Sequence, residues 1–443
     1  MRYNNPMANF RKIVKAVIPT GLFKAVEPTG HLIESVLANI RYGFPSRKMH
    51  IIGVTGTDGK TTTTLMIQKM LHTAGIKTAV LSTVSYGVGD DIKPQMVHMT
   101  TSQSAILQKR LRDFKRAGVQ WVVLETSSHS LAQNRVWGIP YEIAVITNIS
   151  YDHLDYHKTF EKYLIAKRRL FKIAASHGRR FGAVNADDKN ADRFVSAVPK
   201  STTYGIKSGQ LRAKNIKLNT DHSTYLAKIG NDEYDIRVNI PGEFNVSNSL
   251  AAVAVGREIG LTKEQIEKGI VALKGVDGRM TVIDEGQKFK VIVDYASTPE
   301  AFEKVFSSLR PSVKGKLIAV FGSAGGQRDK AKRPMQGEVA GKYADEVILT
   351  EEDDRDTDGN EILDQIASGA KKSGKTVGQD LFLLLNREEA IGFAMTRAKN
   401  VSDMVILLGK GHEKTIERAN GENPWNEIEV AKSSLQELLK AKK

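Results

Sequence analysis

Cysteine is absent from the 443 residues, which excludes disulfides, thiolate zinc sites, iron–sulfur clusters and cysteine nucleophiles together. Proline is scarce, at 12 residues, and 41% hydrophobic with 26% charged residues marks a globular chain, neither collagen-like nor disordered. No run reaches the ~18–20 consecutive apolar residues of a membrane-spanning helix, and the N-terminus lacks the apolar stretch of a secretory signal. A cytoplasmic protein is expected. Aromatics are only 7% of the chain, and there is neither an aromatic-studded platform nor a zinc finger, so sequence-specific nucleic-acid reading is not expected. Acidic charge is the minority sign: 65 Lys+Arg against 50 Asp+Glu leave +15. Residues 1–48 hold Arg2, Arg11, Lys12, Lys15, Lys24, Arg41, Arg47 and Lys48 against Glu27 and Glu34, a net +6. That balance favours phosphorylated substrates or a weak contact with an anionic surface, unless it is only a solvated, solubilising face.

The length suggests two or three domains. Residues 1–48 read as a short basic, partly helical lead-in, broken by Pro19, Pro28 and Pro45. From Met49, short β-rich runs alternate with helical patterns: His50–Thr55, Lys77–Ser82, Trp121–Glu125 and Ile143–Asn148. Such alternation implies βαβ units and a parallel sheet covered on both faces. A polar, strand-rich stretch over 176–239 precedes a helix over 245–258. A second α/β series starts near Arg279, with strands at Val291–Asp294, Lys316–Phe321, Glu346–Thr350 and Met404–Leu408. Gly275–Gly278 (GVDG) is the turn-forming linker. Three units are therefore expected: 1–48, a central domain 49–278 and a C-terminal domain 279–443.

The strongest local signal is Gly53-Val-Thr-Gly-Thr-Asp-Gly-Lys-Thr-Thr62, placed between a strand and a helix. Backbone N–H groups of Gly56, Thr57, Asp58 and Gly59, with the helix N-terminus, can cradle phosphates. Lys60 then neutralises charge, and the hydroxyl of Thr61 or Thr62 can hold Mg²⁺. Val54 stands where the common P-loop has glycine. Glu125 closes a strand and is followed by Thr-Ser-Ser-His-Ser-Leu131. Carboxyl ends of parallel strands face the ligand crevice, so Glu125 suits a hard oxygen ligand for Mg²⁺. Ser127 or Ser128 also reads as a helix N-cap, and a lone His129 as structural. Thr147–His157 packs Asp152, His153, Asp155 and His157 together. Without cysteine and beside a phosphate loop, Mg²⁺ is the expected metal, with nitrogen as a minority ligand. Lys167 lies on the following helix, and its spacing alone does not single it out from its basic neighbours.

Together with Gly242-Glu-Phe-Asn-Val-Ser-Asn248, Gly278-Arg-Met280, Asp294-Tyr-Ala-Ser-Thr-Pro299, Lys332-Arg-Pro334 and Gly409-Lys-Gly-His-Glu413, these motifs follow the order of the Mur ligases, ATP-dependent amino-acid ligases of peptidoglycan precursor synthesis. The chain resembles their tripeptide-synthetase (MurE-type) branch from about Tyr42 onward. The resemblance implies an α/β protein with a P-loop-type central domain on a mostly parallel sheet and a C-terminal Rossmann-like domain. It implies ATP and Mg²⁺ as cofactors and a muramoyl peptide and an amino acid as small-molecule substrates; a monomer is expected. ATP would meet Gly56 to Thr62, Asn245, Arg279 and Asp294, and the metal Thr61, Glu125, His153 and a carbamylated Lys167. Lys60, Lys167 and His153 would be the catalytic groups. Thr100, Thr101, Ser127 and Arg135 match acceptor contacts; Arg333, Arg355, Gly409 and Glu413 match the amino-acid pocket.

Three departures stand out. Glu352-Asp-Asp-Arg355 replaces Asp-Asn-Pro-Arg, Ser297 replaces a family histidine, and the basic lead-in stands where the family has a uridine-binding domain. The carboxylates around Arg355 favour lysine or another diamino acid such as ornithine, with diaminopimelate retained as an alternative through Glu413. Asp354-Arg-Asp-Thr-Asp-Gly359 opens like an EF-hand, but its twelfth position is Gln365, so the run reads as a solvated, substrate-facing loop. The rival readings are a Mur-like ligase of another acid, of folylpolyglutamate or cyanophycin type, and a non-catalytic nucleotide-binding protein.

Overall fold

The computed structural model describes residues 20–95, 99–219, 221–326 and 328–441, with side chains from residue 27 onward. Two sheets organise it. The first has eleven strands: β1 (His50–Thr55), β2 (Thr78–Leu81), β3 (Ser85–Val88), β4 (Asp91–Pro94), β5 (Trp121–Glu125), β6 (Tyr141–Ile146), β7 (Phe181–Asn185), β8 (Lys200–Gly205), β9 (Leu211–Leu218), β10 (Ser223–Ile229) and β11 (Asp232–Val238). Their order is β11-β10-β9-β8-β7-β6-β1-β5-β2-β3-β4. From β2 to β9 neighbouring strands run parallel, while the β9-β10-β11 and β2-β3-β4 wings are antiparallel. The middle strands are buried over nearly all their length, as Ile51, Ile52, Val122, Val123, Ala144 and Val145 show. That is why they read as continuous apolar runs in the sequence.

The second sheet comprises β12 (Thr281–Ile283), β13 (Lys290–Asp294), β14 (Leu317–Phe321), β15 (Glu346–Leu349), β16 (Leu381–Leu383) and β17 (Met404–Leu408). It runs β12-β13-β17-β14-β15-β16, all parallel except β12. A hairpin, β18 (Thr415–Arg418) with β19 (Gly421–Pro424), stands apart. Helices Lys60–Thr73 and Glu243–Ile259 pack on the first sheet around Met66, Ile67, Met70, Leu250 and Val253. Helices Pro299–Leu309, Lys332–Tyr343 and Gly359–Lys372 cover one face of the second.

The lead-in differs from expectation. Pro19 lies outside the described residues, but Pro28 sits inside a continuous helix, Thr20–Tyr42. An interior proline costs about 3 kcal/mol. Tertiary bonds beyond it offset that cost: Ser35 Oγ lies 2.6 Å from Ser104 Oγ, and Asn39 Nδ2 donates to the Trp137 carbonyl at 2.9 Å. The carbonyl of Pro28 itself accepts from Asn134 Nδ2 at 3.3 Å.

Candidate functional site

The carboxyl ends of the strands of the first sheet and those of the second enclose a cleft of ≈ 1430 Å³. The glycine-rich loop 56–59 lines it through Thr57, Asp58 and Gly59 and is pinned by the turn after β6. Thr57 N donates to the Asn148 carbonyl at 2.9 Å, Asp58 N to Asn148 Oδ1 at 3.0 Å, and Thr147 Oγ1 to the Asp58 carbonyl at 2.6 Å. Close approach explains two glycines. A Cβ on Gly56 would meet Thr147 Oγ1 at 1.8 Å, and one on Gly59, at φ +78°, would meet Asn248 Oδ1 at 2.3 Å. Lys60 donates to the Thr57 carbonyl at 2.7 Å and so lies along the loop. Thr62 is buried behind it.

Glu125, 1% exposed, ends β5 directly beside the loop. Thr61 Oγ1 donates to its two oxygens at 3.1 and 3.0 Å, Thr83 N to Oε2 at 2.8 Å and Thr83 Oγ1 to Oε1 at 2.8 Å. His153 borders the cleft with a left-handed backbone, φ +55°, and its ring stands 4.7 Å from that of His129. Burial, reinforced by Lys167, Lys60 and Arg328, pushes the His153 pKa well down and keeps its imidazole neutral. Lys167 is fully enclosed, donating to the Gly56 carbonyl at 2.6 Å with Tyr163 beneath it. Burial and then Lys60 drive its pKa well below the usual lysine range. Asp58 is the contrasting case. Burial raises its pKa, yet Lys304, Lys60 and Arg279 together hold it below the ordinary value. Lys304 comes from the second α/β unit and reaches Asp58 at 3.0 Å.

Asn245 lines the cleft, donating to the Pro241 carbonyl at 2.8 Å. Arg279 lies over the Tyr295 ring at 4.5 Å, and its Nη2 approaches Thr61 Oγ1 at 3.5 Å. Asp294, at the carboxyl end of β13, accepts from Met280 N and Ala296 N, each at 2.8 Å. The acceptor candidates form one chain of bonds. Thr101 Oγ1 donates to the Glu125 carbonyl at 2.9 Å and accepts from Ser127 N at 3.0 Å; Arg135 Nη1 donates to the Thr101 carbonyl; Thr100 lines the cleft beside them.

At the far wall, Arg355, Glu413 and Glu352 face the cleft, with Gly409 behind Glu352. Arg355 Nε donates to Glu417 Oε2 at 2.8 Å and Nη1 to the Gly325 carbonyl at 3.3 Å. Glu413 accepts from Tyr295 OH at 3.1 Å and from Lys410 at 2.5 Å, and Lys410 also reaches Asp353 at 2.8 Å. Glu352 is buried with Oε2 unpartnered, and burial raises its pKa. Arg333 is not in the cleft. Its guanidinium is fully buried behind the wall, on Gln365 Oε1 at 2.7 Å and the Ala324 carbonyl at 3.0 Å.

The 354–359 run is not simply solvated, because Asp354 is buried while Asp358 caps the helix Gly359–Lys372 by accepting from Asn360 N. Sequence reasoning passed over Thr83, Asn148, Tyr295, Lys304 and Lys410. Thr83 follows the carboxyl end of β2, a place that should have marked it. Tyr295 and Lys410 lay inside motifs already singled out.

The Mur ligase middle domain matches residues 54–256, and the Mur ligase, glutamate ligase domain matches 278–411. A UDP-N-acetylmuramyl-tripeptide synthetase of Roseiflexus sp. (strain RS-1) is 40% identical over 93% of this chain and 83% of its own. A UDP-N-acetylmuramoyl-L-alanyl-D-glutamate–2,6-diaminopimelate ligase of Clostridium acetobutylicum is 38% identical over 90% and 80%. A solved 2,6-diaminopimelate ligase of that description superposes with TM-score 0.61 at 32% identity, covering 88% of this chain and 79% of that one. Folylpolyglutamate synthase of Mycobacterium tuberculosis superposes at 0.70 with 16% identity over 92% and 95%, a likeness of fold alone. Identity of 38–40% across most of both chains reflects common descent and not merely common architecture, and the chain belongs to the Mur ligase family, ATP-dependent ligases that form amide bonds.

Proposed function

We propose that this enzyme joins a diamino acid, lysine or ornithine, to a muramoyl-dipeptide-type carboxylate, using ATP and Mg²⁺, in the cytoplasm and as a monomer. Residues 49–278 would hold nucleotide and acceptor, and 279–443 the incoming amine. The observation that carries the amino-acid choice is the far wall of the cleft. There Glu352, Asp353 and Glu413 line the cleft on the same wall as Arg355, and the Glu352 Oε2 is buried without a hydrogen-bond partner. A carboxylate whose charge burial disfavours gains most from an incoming ammonium. Arg355 uses Nε on Glu417 and one N–H of Nη1 on Gly325, which leaves the Nη2 hydrogens for the α-carboxylate common to all amino acids. Diaminopimelate, whose far end adds a carboxylate to the ammonium, stays the alternative.

A carboxylate is a poor electrophile because its leaving group would be oxide. Attack of the acceptor carboxylate on the ATP γ-phosphorus expels ADP and makes an acyl phosphate. The neutral amine of the amino acid then attacks the acyl carbon, and phosphate leaves. Thr61, Glu125 and His153 fit Mg²⁺: one buried carboxylate, one hydroxyl and one imidazole that burial keeps neutral. Lys167 would join them once carbamylated, and burial supplies the free amine that carbamylation requires. When bound, Mg²⁺ offsets charge on the transferring phosphoryl group. Lys60 adds a fixed cation at the same place, Asn245, Arg279 and Asp294 hold the nucleotide, and Thr100, Thr101, Ser127 and Arg135 position the acceptor. Parallel kcat/KM measurements by ADP release, using lysine, ornithine, diaminopimelate, alanine and glutamate with a muramoyl dipeptide, test the reading. Preference for glutamate or alanine would overturn the amino-acid assignment. Turnover only with a folate or aspartate-polymer acceptor would overturn the acceptor.

A further inference from the structure

Over its described side chains, residues 27–42, the helix Thr20–Tyr42 is inside out. The face it turns to the protein carries His31, Glu34, Ser35 and Asn39, all buried, with Ala38 among them. The opposite face exposes Ile33 at 55%, Leu37 at 55% and Ile40 at 61%. At ~100° per residue these three fall within an arc of about 60°, a single aliphatic stripe. Leu32 and Val36 flank it, half-buried. Single exposed aliphatics need no explanation, but a stripe along one helix whose polar side is spent on the protein does.

The surroundings are basic. Arg41, Arg47 and Lys48 are exposed at the C-terminal end of the helix. Helix Ser104–Arg116 packs alongside, with Arg112 over the Tyr42 ring at 4.8 Å, and brings exposed Lys115 and Arg116 to the same end; Asp113 is the acidic residue among them. Aliphatic side chains flanked by lysine and arginine are the two signals that together hold a helix in the plane of an anionic bilayer surface, where neither suffices alone.

We propose that this face docks the enzyme reversibly on an anionic phospholipid surface. Ile33, Leu37 and Ile40 enter the boundary between headgroups and acyl chains, and the basic residues meet lipid phosphates. The inference is independent of the ligase site. The test is co-sedimentation of the full chain with phosphatidylglycerol-containing vesicles and with pure phosphatidylcholine vesicles. Binding is expected only to the former and should weaken with salt. The triple variant Ile33→Gln, Leu37→Gln, Ile40→Gln should lose about ten-fold or more in partition, with its melting and its vesicle-free ADP release unchanged. Ile40→Trp provides a second readout, an emission blue shift on anionic vesicles. Three outcomes would overturn the proposal. They are no binding to anionic vesicles, binding that the triple variant retains in full, and a concentration-dependent dimer that the triple variant abolishes.

Discussion

Replacing Lys410 by methionine should destabilise the second α/β unit far more than a surface substitution could. Its ammonium is fully buried, 2.8 Å from Asp353 and 2.5 Å from Glu413, whose side chains are 17% and 16% exposed. Removing one partner from a buried ion pair costs about 3–5 kcal/mol, because the remaining charge is left uncompensated. Here two carboxylates are stranded, but each keeps some contact with solvent and a second donor: Glu417 N on Asp353 and Tyr295 OH on Glu413. Weighing these, the loss should be about 2–4 kcal/mol. Of the three tryptophans, only Trp425 lies in this unit. With Trp121 and Trp137 changed to phenylalanine, its emission during urea unfolding reports the region directly. Adding Asp353→Asn should recover part of the loss, since one stranded charge disappears. A Lys410→Met change below ~0.5 kcal/mol, the range of exposed pairs, would refute the argument that this ammonium holds the wall together.

Lys60→Ala should lower turnover by roughly 10²-fold or more while leaving the melting temperature near wild type; an unchanged kcat would remove Lys60 from the phosphate site. Lys167→Ala should be nearly inactive and partly rescued by a short-chain carboxylate, and intact-mass data showing an unmodified amine in fully active enzyme would contradict carbamylation. Burial, against a weak bond from Glu352 N and with Glu351, Glu352 and Asp353 adding to it, raises the Asp354 pKa to about 6. The folded state therefore binds more protons than the unfolded chain between the usual carboxylate pKa and about 6, so this group's contribution to stability falls as pH rises through that window and is flat above it. Asp354→Asn should flatten that slope and stabilise the protein by about 3 kcal/mol at most at neutral pH; an unchanged pH–stability curve would show that Asp354 ionises normally.

The sequence alone determined the parts of this protein whose signals are local. β1, β5 and β17 fall where their apolar runs place them, because strands covered on both faces must be apolar throughout. The glycines at 56 and 59 were legible because close backbone approach demands them. The place of Glu125 at the carboxyl end of a parallel strand was legible from the apolar run before it. What tertiary structure decided depends on pairs far apart in the chain. Thr83 holds Glu125 across 42 positions, and Lys304 reaches Asp58 across 246. Neither spacing carries a periodicity, so no pattern along the chain announces them. Burial was equally out of reach: Arg333 reads as a ligand contact yet turns inward to Gln365, and Asp354 reads as solvated yet is enclosed. The helix through Pro28 follows the same logic. Local preference opposes it, but Ser35 and Asn39 find partners at positions 104 and 137, contacts that exist only once the sheet has brought those segments together.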